Sequence, residues 1–189
     1  ITTGEGGMMG FKSKQHKLKA EILRDHGMSK KVKYWHNHIG FNFRLTNLQS
    51  SIGCAQLERI QWFIRNKLNL AKNYRLKLSK FDFIILPGVY GNVQNSYWLY
   101  TIRLSKDSLK YKDILIQKMQ SSGIEARPIF YPMNMMKPYQ KYIQKNEKFP
   151  VSELLFNSSI SLPSAYDVKL KDITTVSNFL KNFKNLIDK

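Results

Sequence analysis

Acidic residues are scarce in this chain. Its 189 residues include 13 Asp and Glu against 31 Lys and Arg, for a net charge of +18. Cysteine is nearly absent: Cys54 stands alone, so no internal disulfide can form, and a reducing cytoplasm is the compartment this usage implies. Histidine occurs only at His16, His26, His36 and His38. His36 and His38 have a chelating spacing, but no Asp, Glu or Cys sits beside them, so loop histidines without a metal role are expected. No stretch approaches the roughly 18–20 uninterrupted apolar residues of a membrane span. None has the basic-then-apolar layout of a secretory leader. The positive charge comes without a run of five basic residues, zinc-finger spacing, an RNA-binding signature or a zipper. Direct nucleic-acid binding is therefore not expected, while a field suited to a phosphorylated small molecule is.

What is present is enough apolar material for a core: 42% of residues are hydrophobic and 13% aromatic. The pattern reads as mixed α/β in two parts, residues 1–80 and 81–189, without an internal repeat or a flexible linker. In the first part, "ITTGEGGMMGF" predicts a strand–turn–strand. "KQHKLKAEILRDHG" predicts a helix closed by Gly27. Thr46 and Gln49 form a T-x-x-Q capping box. From there Leu48, Ile52, Ala55, Ile60, Ile64, Leu68 and Ala71 recur at three- to five-residue steps, which predicts one helix over about 46–80 that bridges the two parts. Cys54 falls between Ile52 and Ala55 and reads as a buried small hydrophobe. In the second part "FIILP", "SYWLYTIRL" and "IEARPIFY" read as strands. "DSLKYKDILIQKMQSSG", "KFPVSELLFNSS" and "LKDITTVSNFLKNFKNLI" read as helices, giving a β–α–β arrangement with closing helices.

Two short motifs have chemical potential. "TGEGG" is a glycine-rich turn able to form an anion nest, but it lacks the Lys-Ser/Thr of a P-loop and the G-x-G-x-x-G of a dinucleotide turn. In "GFNFRL", Asn42 and Arg44 point the same way if the segment is extended. They are either the polar rim of a loop or a pair that binds an anion, with Arg44 clamping a carboxylate. The residue pattern by itself leaves both readings open.

Five stretches, "TTGEGG", "RDHG", "YWHNHIGFNFRLTNLQSSIGCAQLERI", "GIEARPIFYPMN" and "FPVSELLFNSSISLPS", occur in this order. Together they resemble the DegT/DnrJ/EryC1/StrS family of PLP-dependent sugar aminotransferases, and the resemblance covers nearly the whole chain. It implies an α/β fold, namely the C-terminal part of a PLP-dependent transferase of fold type I: a remnant of the large domain followed by a small α/β domain. In this family "TTGEGG" follows almost at once on the lysine that carries PLP as a Schiff base. That lysine would lie just upstream of Ile1, so no catalytic residue is expected in the chain, and the chain alone is expected to be inactive.

The resemblance implies roles by motif. Asn42 matches the residue that reaches across a homodimer to the PLP phosphate. Arg44 matches the one that holds the carboxylate of the amino donor, glutamate. Thr3, Gly4, Glu5 and Gly6 match the turn beside the cofactor lysine. Arg127 and Tyr131 match the strand that approaches the nucleotide sugar, and Asn134 stands in the same motif where relatives often have His. Asn95 likewise replaces a His before the Tyr-Trp pair, and Asn cannot change charge near neutral pH. The "YWH…IGFNFRLTN", "SYW" and "RPIFYPMN" stretches point to members acting on GDP-4-keto-6-deoxymannose. The implied reaction moves an amino group from glutamate to the keto sugar, for surface polysaccharide synthesis such as lipopolysaccharide O-antigen. The alternatives are a PLP-dependent dehydratase of the same keto sugar, or a non-catalytic basic binding fragment.

Overall fold

The computed structural model describes residues 1–188. The chain divides into two compact units, residues 1–62 and 63–189.

The first unit holds α1 (Lys14–Arg24), α2 (Asn47–Leu57) and the start of α3 (Ile60–Leu78). Ser13 caps α1 by accepting from the His16 N–H. Beyond its end His26 and Gly27 take left-handed backbone conformations (φ 59° and 67°), which turn the chain back. The expected capping box is in place at α2: the Thr46 N–H donates to Gln49 Oε1 at 2.9 Å and the Gln49 N–H to Thr46 Oγ1 at 3.2 Å.

The expected single helix over 46–80 is not continuous: a turn at Glu58–Arg59 separates α2 from α3. There the backbone tightens to shorter-range bonds, with the Arg59 N–H donating to the Gln56 carbonyl and the Trp62 N–H to the Arg59 carbonyl. The five-residue step from Ala55 to Ile60 straddles this turn. An α-helix cannot keep both residues on one face across that step, and the break restores the phase. The opening segment also differs from expectation. Residues 1–12 form no strand: a strand exists only by pairing, and none of the described residues pairs with them.

The second unit carries the buried core. Its sheet has four strands in the order β1-β2-β4-β3: β1 (Ile84–Ile85), β2 (Tyr100–Leu104), β3 (Arg127–Pro128) and β4 (Ser159–Leu162). Every neighbouring pair is antiparallel, with Ile84 opposite Leu104, Ile102 opposite Ile160 and Arg127 opposite Ser161. The expected β–α–β order is therefore resolved without a parallel pair. β4, which does not stand out in the pattern, inserts between β2 and β3. α4 (Lys112–Ser121) ends at Gly123, whose positive φ of 75° allows the Ile124 N–H to reach the Met119 carbonyl. A short helix, α5 (Lys137–Gln140), precedes α6 (Pro150–Ser158), and α7 (Leu170–Ile187) closes the unit.

The core joins Leu70, Tyr74 and Leu78 of α3, Ile102 and Leu104 of β2, Leu115 and Met119 of α4, and Ile173, Leu180 and Phe183 of α7. Residues 63–80, assigned above to the first part of the sequence, thus belong structurally to the second unit. In the first unit only Gly27 is buried. Phe41, Phe43, Leu48 and Ile52 are exposed there, as is Cys54, which is not the buried residue its neighbours imply.

Candidate functional site

The "TTGEGG" turn lies along α2, bonded to its first turn at Gln49 and its last at Gln56. The Thr2 N–H donates to Gln56 Oε1 at 2.9 Å, and Gln49 Nε2 donates to the Glu5 carbonyl at 3.3 Å. Thr3 Oγ1 donates to the same carbonyl at 2.6 Å, folding the turn on itself. Gly6 has φ 148°, a backbone conformation that favours glycine, and a Cβ there would sit 2.7 Å from Thr3 Oγ1 and 2.9 Å from a Leu45 methyl, so another residue is strained and must displace these side chains. Gln49 thus serves both the cap of α2 and the turn.

Asn42 and Arg44 lie on the extended segment entering α2. The Phe41 N–H donates to the Leu23 carbonyl at 2.7 Å, the Phe43 N–H to the Arg24 carbonyl at 3.0 Å, and the His26 N–H to the Phe41 carbonyl at 2.9 Å. An isolated antiparallel bridge pairs Asp25 with Asn42. Side chains two apart on such a segment share a face. The "RDHG" and "GFNFR" motifs, separated in sequence, are thereby one structural object. Arg44 Nε stands 3.4 Å from Asp25 Oδ1. That oxygen is buried and makes no well-directed hydrogen bond, so the contact is an ion pair through Nε. His36 and His38 sit beside this segment, with His36 Nδ1 at 2.9 Å from the His26 carbonyl oxygen. Among the described residues no three His, Cys, Asp or Glu side chains cluster as metal ligands.

Arg127, Tyr131 and Asn134 lie in the second unit. Arg127 lines an open cleft of about 250 Å3 together with Lys67, Trp98, Glu125, Ser161 and Ser164. Its guanidinium pairs with the Glu125 carboxylate. Tyr131 packs its ring on Phe156, with centroids 4.3 Å apart, and Asn134 occupies a 3-10 turn over Met133–Met135. Neither lines the cleft.

Two of the cleft residues, Lys67 and Trp98, carry no site expectation from the sequence yet stand out in the structure. Lys67 donates from Nζ to the Trp98 carbonyl at 3.1 Å and to the Ser164 carbonyl. Partial burial holds its ammonium below the usual lysine range. The signal for it is present: Lys67 falls on the face of α3 that also bears Ile64, Ala71 and Tyr74, and a lysine on such a face needs acceptors. Trp98 lies in "SYW", but only proximity to Arg127 gives it meaning.

Comparison with known proteins decides the family. Residues 1–181 match the model of the DegT/DnrJ/EryC1/StrS aminotransferase family. The chain belongs to this family. GDP-perosamine synthase of Caulobacter vibrioides is 33% identical over 177 residues, covering 93% of this chain and 47% of the relative. The enzyme of the same name from Vibrio cholerae is 33% identical over 187 residues, covering 99% and 50%. The chain thus spans about half the length of the curated relatives it matches. Among solved structures, the aminotransferase TlmJ from Streptoalloteichus hindustanus superposes with a TM-score of 0.87 at 21% identity, over 99% of this chain and 50% of that one. Helicobacter pylori PseC, an aminotransferase involved in the biosynthesis of pseudoaminic acid, gives 0.82 at 23% identity, over 92% and 47%. This DegT/DnrJ/EryC1/StrS chain accordingly has part of the α/β fold of a PLP-dependent sugar aminotransferase. Among its described residues no helix is long and apolar enough to cross a membrane.

Proposed function

We propose that this chain forms part of a PLP-dependent aminotransferase that transfers the amino group of glutamate to the 4-keto carbon of a nucleotide-linked 6-deoxy sugar. GDP-4-keto-6-deoxymannose is the substrate of this reading, and surface polysaccharide synthesis its setting. The observation that carries it is the placement of Asn42 and Arg44 on one strand-like segment, fixed at the end of α1 by backbone bonds. The relatives named GDP-perosamine synthase support the choice of sugar.

The donor set fits the cofactor. Asn42 offers an uncharged amide donor suited to a phosphate, and Arg44 offers a planar cationic fork suited to a carboxylate. The net charge of +18 favours both anions over water. PLP, when bound, supplies the electron sink that amino-group transfer requires. In this reading Asn42 holds the cofactor phosphate and Arg44 the donor's carboxylate. The Thr3–Gly6 turn positions its neighbours, and Arg127, Tyr131 and Asn134 face the nucleotide sugar. The lysine that would move the protons is contributed by sequence upstream of Ile1. The exposed Phe41, Phe43, Leu48 and Ile52 are the kind of surface that the rest of a family-length chain and a second protomer would cover.

The test is to assemble the chain with the upstream half of a family enzyme and to supply glutamate, PLP and the GDP-linked keto sugar. Formation of 2-oxoglutarate and the 4-amino sugar is the expected result. A dehydrated sugar without consumption of glutamate would replace this reading with that of a lyase.

A further inference from the structure

Among the described residues Lys112 is the one charged side chain that is buried, at 8% exposure. It opens α4 on the face that also bears Leu115, Ile116 and Met119, all buried in the core. Three local rules oppose a lysine there. Taking an ammonium out of water is costly. The first turn of a helix favours negative charge through the macrodipole. No ion pair among the described residues includes it. An apolar side chain of the same length would satisfy all three, and replacing a buried charge in this way is often neutral or stabilising. A position that breaks its local rules together is held by what it does for another part of the fold.

Lys112 Nζ donates to the Phe156 carbonyl at 3.0 Å and lies 4.4 Å from the centre of the Phe156 ring. Phe156 is near the C-terminal end of α6, and its carbonyl is one of those a helix leaves without an N–H. Ile160, four positions on, is already in β4 opposite Ile102. Capping that carbonyl needs only a donor. The second contact is with the ring, where a cation gains from the negative face of the π system. One ammonium thus fixes both the backbone and the side chain of Phe156. The Phe156 ring in turn packs on Tyr131, with centroids 4.3 Å apart. Tyr131 follows β3 in a stretch without regular structure, so ring packing rather than a strand ladder places it.

We infer that Lys112 is a positioning residue for the sugar site: its ammonium clamps Phe156 by carbonyl and ring, and Phe156 sets the place of the Tyr131 ring. The inference rests on the reading above that Tyr131 meets the nucleotide sugar. It adds the two residues that orient Tyr131 without touching the substrate themselves. The two contacts of the clamp need different properties. The carbonyl needs an N–H donor, which glutamine also supplies. The ring needs positive charge, which arginine keeps and glutamine lacks.

The experiment follows the Tyr131 ring protons by NMR in the 189-residue chain. Packed on Phe156, they are displaced by its ring current. Lys112→Gln and Phe156→Leu are expected to move them toward the values of free tyrosine, and Lys112→Arg to keep them in place. Lys112→Met removes donor and charge together and should act like Lys112→Gln, so the test survives if one of the two variants fails to fold. A lysine that only caps α6 gives the parent Tyr131 signals in both. In the assembled enzyme Lys112→Gln should raise the KM for the keto sugar about tenfold and leave the KM for glutamate unchanged, with rescue by Lys112→Arg. Parent Tyr131 signals in a folded Lys112→Gln or Lys112→Met chain, or KM values for glutamate and keto sugar that change together, overturn the proposal. The two readings fail separately. Tyr131→Ala with the parent keto-sugar KM removes the sugar role of Tyr131, while the signals still link it to Lys112. Tyr131→Ala that raises that KM, beside a Lys112→Gln enzyme at the parent value, removes this proposal alone.

Discussion

Gly27 and Gly40 meet backbone to backbone. A Cβ on Gly40 would lie 2.1 Å from the Gly27 nitrogen, and one on Gly27 would lie 1.9 Å from the His38 carbonyl oxygen. Gly27 also has φ +67°, a conformation other residues adopt at a cost. This approach lets the segment that carries Asn42 and Arg44 lie against the end of α1. Gly40→Ala should therefore force the two strands of backbone apart, at a cost of about 1–3 kcal/mol. Faster hydrogen exchange at the amides of His26, Phe41 and Phe43 is the expected signature. Unchanged protection of these three amides would mean that the approach does not hold the segment.

Arg44 and Asn42 should separate two affinities in the assembled enzyme. Loss of a charge-assisted bond costs about 1.5–3 kcal/mol, roughly ten- to a hundredfold in binding. Arg44→Ala is expected to weaken glutamate and spare PLP, and Asn42→Ala to do the opposite. If the two residues only shape the loop before Thr46, both substitutions lower stability and neither discriminates between the ligands. Titration of each variant with each ligand decides between these outcomes.

Lys67 satisfies two carbonyls, those of Trp98 and Ser164. Lys67→Met keeps the length and apolar stem of the side chain but leaves both acceptors without their donor. The expected loss is about 1–3 kcal/mol in a chemical denaturation curve. A variant as stable as the parent would show that water replaces the ammonium.

Tyr74 and Tyr100 stack in the core with centroids 4.7 Å apart, yet their hydroxyls differ. Tyr74 Oη donates to the Pro163 carbonyl at 2.9 Å, while the buried Tyr100 hydroxyl has no hydrogen-bond partner among the described residues. Tyr74→Phe should cost about 0.5–1.5 kcal/mol, whereas Tyr100→Phe should be neutral or stabilising. Thermal unfolding of the two variants tests the difference in sign.

Burial pushes the Tyr100 hydroxyl up to about 12, with Arg75 opposing and Tyr97 adding to the rise. An unfolded tyrosine ionises near 10. Between these values the folded state keeps a proton that the unfolded state has lost, so stability declines as pH rises from about 10 to about 12. Burial also raises Tyr74, so the decline has two contributors. Removing one of them with Tyr100→Phe should flatten the fall. Denaturation midpoints on either side of pH 10, with phenolate absorbance as the titration readout, test this.

Legibility followed the range of the interactions. The Thr46–Gln49 box and the glycine ends of α1 and α4 depend on residues three to five apart and are readable, whereas the Ser13 cap of α1 appears only in the structure. The break at Glu58–Arg59 was written in the five-residue step from Ala55 to Ile60, which a loosely drawn apolar stripe conceals. β4 was hidden for another reason. All four of its residues are buried, so it shows no alternation, and it follows directly on α6. Cys54 and the apolar residues around Phe41 show the limit of periodicity: a pattern can say that a face is apolar without saying that anything within the chain covers it.

By itself the sequence determined the family, through five ordered motifs, and the local conformations that capping side chains and left-handed glycines impose. Those effects act over one or two turns of backbone and need no distant partner. Only the tertiary structure decided that β4 lies between β2 and β3, that Asp25 stands against Asn42 and Arg44, and that Lys67, Trp98, Glu125 and Arg127 open onto one cleft. Lys67 and Ser164 are 97 positions apart in the chain. Contacts at such separation arise from which surfaces bury each other most fully. That is a property of the packed whole, and no window of sequence contains it.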